Sequence, residues 1–301
     1  MLEMGFVEDI SSIIEQTPAA RQTLLFSATY PDDIEALSAR FQKQPERISV
    51  ETMHNDQQID QQFFVCQKSA RLDGLVTLLN HFAPQTAVVF CNTKQLVRDV
   101  TAHLDERSIR ALALHGDMEQ RDRDQVLIQF RQQSCSVLVA TDVAARGLDI
   151  DDLPVVVNFE LPRETEVYVH RVGRTGRAGK AGLALSLFAD SEQYKLEKFR
   201  QLAQQEPETK PIESISVRGE KMPPPPYATL CIAGGRKHKV RPGDILGALT
   251  GEAGIAGSTV GKINVMDFAA YVAVETSVAD KALGRLLNGK IKGRKFKVRR
   301  L

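Results

Sequence analysis

The sequence predicts an α/β domain built on a doubly wound parallel sheet, followed by a smaller α+β domain. Three observations lead there. Between residues 86 and 188, short β-branched apolar runs without polar alternation are separated by helical patterns, the signature of parallel strands covered on both faces. After four consecutive prolines, Pro223–Pro226, the order of elements changes to β-α-β-β-α-β. The charge changes sign at the same point. From Tyr227 onward there are 14 Lys/Arg against 5 Asp/Glu, whereas the preceding residues carry 25 against 33.

Taken in order, residues 1–50 predict a helix over about Val7–Gln16, a strand Gln22–Phe26, a helix Asp33–Gln42 entered through Pro31, and a strand Ile48–Val50. Two such strands are too few for a buried parallel sheet, so the segment reads as the tail of a preceding α/β domain. Strands are then expected at Thr86–Cys91, Ala111–His115, Cys135–Ala140, Pro154–Phe159 and Gly182–Phe188. The segment Gln95–Arg107, with Leu96, Val100 and Leu104 in helical register, is expected as a helix between the first two. Glu206–Pro226 is poor in large apolar residues and reads as a semi-rigid linker. Beyond it the expected elements are strand Ala228–Ile232, helix Arg241–Leu249, strands Val260–Met266 and Tyr271–Glu275, helix Ala279–Leu287 and strand Phe296–Leu301. That order is the one used by RNA-recognition-motif domains.

The composition, 43% hydrophobic and 26% charged, is that of an ordinary globular protein. No apolar run is long enough to cross a bilayer, so no membrane partner is expected. The four cysteines are scattered without a CxxC pair, which argues against a zinc site and fits a reducing, cytoplasmic setting. The basic terminal segment suggests a polyanion partner.

Two stretches carry chemistry. His170-Arg171-Val172-Gly173-Arg174-Thr175-Gly176-Arg177 sets guanidinium forks between glycines, a pattern suited to phosphate oxygens and costly as a core element. Thr141–Ile150 follows a strand and contains Arg146-Gly147-Leu148-Asp149, at the strand end where α/β sheets place ligands. No GxGxxG follows a strand, which excludes a dinucleotide oxidoreductase, and no GxxxxGK[ST] is present. Gly284–Ile291 has the glycine and lysine spacing but ends in isoleucine and follows a helix.

Ser27-Ala28-Thr29, Val88–Thr93, His115-Gly116-Asp117, Gln120 with Arg123, Thr141–Ile150 and His170–Arg177 occur in the order of the motifs of DEAD-box RNA helicases. The chain resembles that family over residues 1 to about 205. The resemblance implies a RecA-like fold, with ATP bound between two such domains. It implies that Arg174 and Arg177 are arginine fingers, that His170 couples them to the acidic motif, and that Asp149, with Gly147 beside it, contacts the adenosine. It further implies that Ser27 and Thr29 serve interdomain coupling and that Thr93, Gly116, Arg123 and Thr141 hold an RNA backbone. ATP and Mg2+ are the cofactors of a full-length member, and none is expected to bind independently to this chain.

The opening Met1–Phe6 resembles the residues just after the DEAD motif, so the sequence is expected to be either truncated or begun at an internal methionine. The expected layout is a RecA-like remnant over 1–55, a RecA-like helicase domain over 56–205, a proline-rich linker over 206–226 and an RNA-recognition-motif-like domain over 227–301. This last domain, with Gly234-Gly235-Arg236-Lys237 and Arg241–Gly251, resembles the accessory domain of the DbpA-type branch. That resemblance implies a large-subunit ribosomal RNA hairpin and pre-ribosomal particles as partners, and action as a monomer. Its first strand has no aromatic residue, and Phe268 and Tyr271 are open between base stacking and core packing. The basic groups Arg236, Lys237, Lys239 and Arg241 are therefore the expected RNA contacts.

Overall fold

The structure is a computed structural model, and it describes residues 6–26, 35–36, 38–48, 59–145, 153–176, 180–200, 208–216, 221–251 and 254–301. The chain divides into two units, 1–54 and 55–301.

In the first unit, helix α1 spans Val7–Glu15, with Ser11 Oγ donating back to the Val7 carbonyl at 2.7 Å. The expected strand Gln22–Phe26 is not formed. No strand among the described residues takes up its backbone groups, so it stays irregular, and Leu24 and Phe26 are exposed at 66% and 89%. Of the expected helix Asp33–Gln42, Glu35, Ala36 and Ser38 are helical and residues 39–41 form a turn. Ile48 is irregular, and the rest of the last expected strand lies outside the described residues.

The second unit opens with strand β1 (Ile59–Val65), helix α2 (Arg71–Phe82), strand β2 (Ala87–Cys91) and helix α3 (Lys94–Glu106). Strand β3 (Ala111–Leu114), helix α4 (Gln120–Arg131), strand β4 (Val137–Thr141) and the single turn α5 (Asp142–Ala145) come next. Strand β5 (Val155–Asn158), helix α6 (Thr165–Val172), strand β6 (Gly182–Phe188), helix α7 (Gln193–Arg200) and strand β7 (Thr209–Pro211) complete the domain. The sheet order is β3-β4-β2-β5-β6-β1-β7, parallel at every pairing. Strands β2, β4 and β5 are buried at every position, as their unbroken apolar runs require. Helix α3 is started by Thr93, whose hydroxyl accepts from the Leu96 amide at 3.2 Å, and it buries Val97, Val100 and Leu104.

The linker expectation needs correction. Residues 209–211 add strand β7 to the sheet edge through β1, and Ile212 and Met222 enter the main core. The Met222 amide donates to Asn80 Oδ1 at 3.0 Å, and the Pro223 carbonyl accepts from Ser136 Oγ at 3.2 Å. Prolines lack a donor but keep a carbonyl, so an extended proline run can be fastened through its acceptors.

The terminal domain comprises strand β8 (Tyr227–Ile232), helix α8 (Pro242–Thr250), strands β9 (Val260–Val265) and β10 (Ala270–Glu275), helix α9 (Ala279–Asn288) and strand β11 (Val298–Arg300). Its antiparallel sheet has the order β11-β8-β10-β9. Leu230, Ile232, Val272 and Val274 face the core shared with Ile245, Leu249, Ala282 and Leu286 of the two helices. The opposite face is also covered: Thr229, Cys231, Tyr271 and Ala273 are buried. Ile128 of α4 packs on Cys231 and Tyr271.

A polar network closes the seam between the two domains. Ser134 Oγ lies 2.7 Å from Thr229 Oγ1, which donates to Gln132 Oε1 at 2.8 Å. Gln132 Nε2 donates to Asn264 Oδ1 at 2.9 Å and to the Lys262 carbonyl at 3.1 Å. Arg110 donates to the terminal Leu301 oxygen at 2.8 Å. Tyr271 is therefore an interface residue, and burial raises its phenol above the ordinary range.

Candidate nucleotide and nucleic-acid interface

The parallel strands bring the motif residues to one edge of the sheet. Thr93 follows β2, Gly116 follows β3, and Thr141 ends β4; these strands are adjacent in the order β3-β4-β2. Arg123, in the first turns of α4, donates to the Ala144 carbonyl at 3.4 Å, and its buried Nε has no hydrogen-bond partner. The four expected RNA-backbone residues thus converge on the carboxyl-terminal edge, where open α/β sheets present ligand sites. Beside Gly116, Asp117 is bonded to Lys94 and, at 3.1 Å, to Arg98. The Lys94 hydrogen bond is the leading cause of the depressed Asp117 carboxyl. Burial first, then the Arg98 charge, holds His115 below the usual imidazole range.

His170 and Arg174 line a small pocket with Phe90, Asp142, Ala145 and Arg171. Arg174 sits in the turn that ends α6, where the Gly173 amide donates to the Val169 carbonyl at 2.8 Å and the Arg174 carbonyl accepts from Leu153 at 3.1 Å. The backbone carrying Arg174 is thus held on both sides. Ser27, Thr29, Gly147, Asp149 and Arg177 lie outside the described residues.

One member of the arginine run does not face a ligand. Arg171 is 1% exposed, contrary to the expectation that the run would be too costly for a core. Its guanidinium grips both Asp142 oxygens at 2.6 and 2.8 Å and donates to Asn92 Oδ1 at 2.8 Å. It also donates to Asn158 Oδ1 at 3.2 Å and to the Glu160 carbonyl at 2.8 Å, while lying over the Phe90 ring. Burial is tolerated because the donors are matched by acceptors from the ends of β2, β4 and β5. Arg171, Asp142, Asn92 and Asn158 were missed as site residues. The signal for Asn92, Asp142 and Arg171 was their place inside the motif stretches, whereas Asn158, at the end of β5, carried none. Asp142 therefore anchors Arg171.

In the terminal domain Arg236, Lys237, Lys239 and Arg241 are all exposed. They occupy the turn between β8 and α8, with Lys239 in the left-handed region at φ 61°. The Arg236 and Lys237 amides donate to the Met266 and Asp267 carbonyls at 2.8 and 2.9 Å, tying this turn to the β9–β10 tip. A Cβ at Gly235 would collide with the Met266 carbonyl oxygen, so the glycine pair permits this approach. The Gly284–Ile291 segment lies in α9 and the turn after it, as expected for a stretch that follows no strand.

Comparison with known proteins agrees with this arrangement. Residues 67–179 match the helicase conserved C-terminal domain, and residues 229–300 match the DbpA RNA binding domain. The chain is 48% identical over its whole length to the ATP-dependent RNA helicase DbpA of Escherichia coli, spanning 65% of that protein. It is 34% identical to the Bacillus subtilis protein of the same name over 99% of this chain and 67% of that one. A structure of S. cerevisiae Dbp5 bound to RNA and ADP BeF3 superimposes with a TM-score of 0.62 at 27% identity, covering 69% of this chain and 56% of that one. The first unit's motif segment, the parallel domain and the basic terminal domain thus follow one family, and the chain belongs to the DbpA-type DEAD-box RNA helicases, whose carboxyl-terminal part it represents.

Proposed function

We propose that the protein acts in an ATP-dependent RNA helicase of large-subunit ribosome assembly, as a cytoplasmic monomer recruited to pre-ribosomal particles through a ribosomal RNA hairpin. The observation that carries this reading is the fastening of a basic RNA-binding domain, through a buried polar seam, to a helicase domain whose motif residues share one sheet edge. In this reading Thr93, Gly116, Arg123 and Thr141 hold the RNA backbone, and contacts of that type position a strand without reading its sequence. Arg174 and Arg177 meet the terminal phosphate of ATP, and His170 links them to the acidic motif. The residues of the pocket suit this assignment, since His170 and Arg174 line it beside the inward-turned Arg171 and are of the type that donates to phosphate oxygens. A bound nucleotide with Mg2+ supplies the phosphoryl group.

The sequence contains no GxxxxGK[ST], so we also propose that these 301 residues alone bind RNA without hydrolysing ATP. The test is to assay RNA-stimulated ATPase with and without a separately purified DEAD-box domain carrying that motif. Activity is expected only in the mixture, and Arg174→Ala should reduce it by about 10³-fold or more. Turnover by the chain alone would refute the second proposal. An Arg174→Ala mixture as active as the wild type would refute the finger assignment.

A further inference from the structure

The turn joining β9 and β10 carries a residue that turn geometry does not require. The tip, Met266-Asp267-Phe268-Ala269, is closed by the Met266 amide donating to the Ala269 carbonyl at 2.8 Å. Such positions favour Gly, Asn, Asp or Ser, which stabilise the turn itself. Here Phe268 stands with 69% of its surface exposed. It is also held in place. His238 packs edge-on against it with ring centroids 6.4 Å apart, and Phe296 packs in the same manner on His238 at 6.0 Å. The Met266 and Asp267 carbonyls, just before Phe268, accept from the Arg236 and Lys237 amides.

The turns tied to this tip are cationic. Arg236, Lys237 and Lys239 are exposed on one, and Lys292, whose Nζ donates to the Lys239 carbonyl at 3.1 Å, is on another. Asp267 is the acidic residue of the tip, and it is paired with Arg236 at 3.1 Å. A pre-ordered aromatic ring among cations is the combination used to stack an unpaired base while the backbone is held electrostatically. The usual stacking face of this domain is blocked, because Thr229, Cys231 and Tyr271 are buried against the helicase domain.

We propose that Phe268 is a base-stacking residue, taking one unpaired nucleobase of a looped or single-stranded RNA at the end of the terminal domain. This rests on the reading of the basic turns as an RNA surface and adds to it a site for a base. Stacking on one aromatic contributes about 5- to 150-fold in affinity.

The experiment uses the full chain, a stem–loop RNA with 2-aminopurine placed in turn at each loop position, and a fully paired duplex of the same stem. Phe268→Leu is expected to weaken stem–loop binding within that range, leave duplex binding and the salt slope unchanged, and abolish the quenching of one 2-aminopurine. Phe268→Tyr should restore both affinity and quenching. Because the side chain is exposed, the leucine variant should melt with the wild type. Wild-type affinity of Phe268→Leu for the stem–loop, or an equal loss on the duplex, would overturn the stacking proposal while leaving the basic surface intact. Failure of the wild type to bind either RNA would instead remove the basic-surface reading, and the stacking site with it. Binding to anionic vesicles that Phe268→Leu abolishes, with RNA affinity unchanged, would make the tip a membrane contact and overturn the proposal.

Discussion

Arg171 shows how a cation written into a ligand-facing motif can become a structural hub. Desolvating a guanidinium costs several kcal/mol, and the cost is offset only when its donors are matched. Here a bidentate carboxylate, two side-chain amides and a carbonyl supply the match. Arg171→Ala should therefore destabilise the helicase domain by about 3–5 kcal/mol, since Asp142 is left facing an unfilled cation site. Arg171→Lys should recover only part of this, because one ammonium cannot replace a planar fork. Urea unfolding followed by far-ultraviolet circular dichroism measures both, and a loss below about 1 kcal/mol for the alanine variant would contradict the hub. The sequence marks His170–Arg177 as a site but does not say which arginine turns inward. Residue type and spacing are the same for buried and exposed members. The distinction depends on Asp142, Asn92 and Asn158, which are brought together only by the strand order.

At the scale of elements, the strands of both domains were legible where apolar runs are continuous, and the parallel order follows from the helices between them. Strand β1 was not legible, because Ile59–Val65 holds Asp60, Gln61 and Gln62 ahead of its phenylalanines. Strand β7 was hidden in the expected linker, because it is only three residues long, ends in Pro211 and gains its partner from β1. The buried outer face of the terminal sheet could have been suspected. Strands β8 and β10 are buried at almost every position, in place of the alternation of a half-exposed sheet. Their second buried face is the seam with Gln132 and Ser134. Thr229, fully buried at its centre, has no room for a longer charged side chain. Thr229→Lys should undock the terminal domain without unfolding either core. Nuclear spin relaxation should then report two independently tumbling domains in the variant and one body in the wild type. A single tumbling time in both would show that the seam does not hold the domains together.

At the scale of the whole molecule, charge and docking combine. The last 75 residues carry a net +9 on a chain whose total is +1, so the polyanion-binding surface is concentrated in the terminal domain. That domain and the sheet edge bearing Thr93, Gly116, Arg123 and Thr141 belong to one unit, residues 55–301. If both surfaces bind RNA as proposed, their place on one body makes the second binding event intramolecular, with an affinity gain set by effective concentration. A hairpin carrying a single-stranded extension should therefore bind more tightly than the hairpin alone, by about 10²-fold when the extension can span both surfaces. Thr229→Lys provides the control, because it should lower this gain while leaving affinity for the isolated hairpin unchanged. Salt separates the electrostatic part: Lys237→Gln with Arg241→Gln should flatten the slope of log affinity against log salt by about 2 for either RNA, roughly one for each phosphate left without its cation. Filter-binding titrations of both RNAs at several salt concentrations would measure these quantities together. Equal affinity of the wild type for the hairpin with and without its extension would mean that the two surfaces act separately.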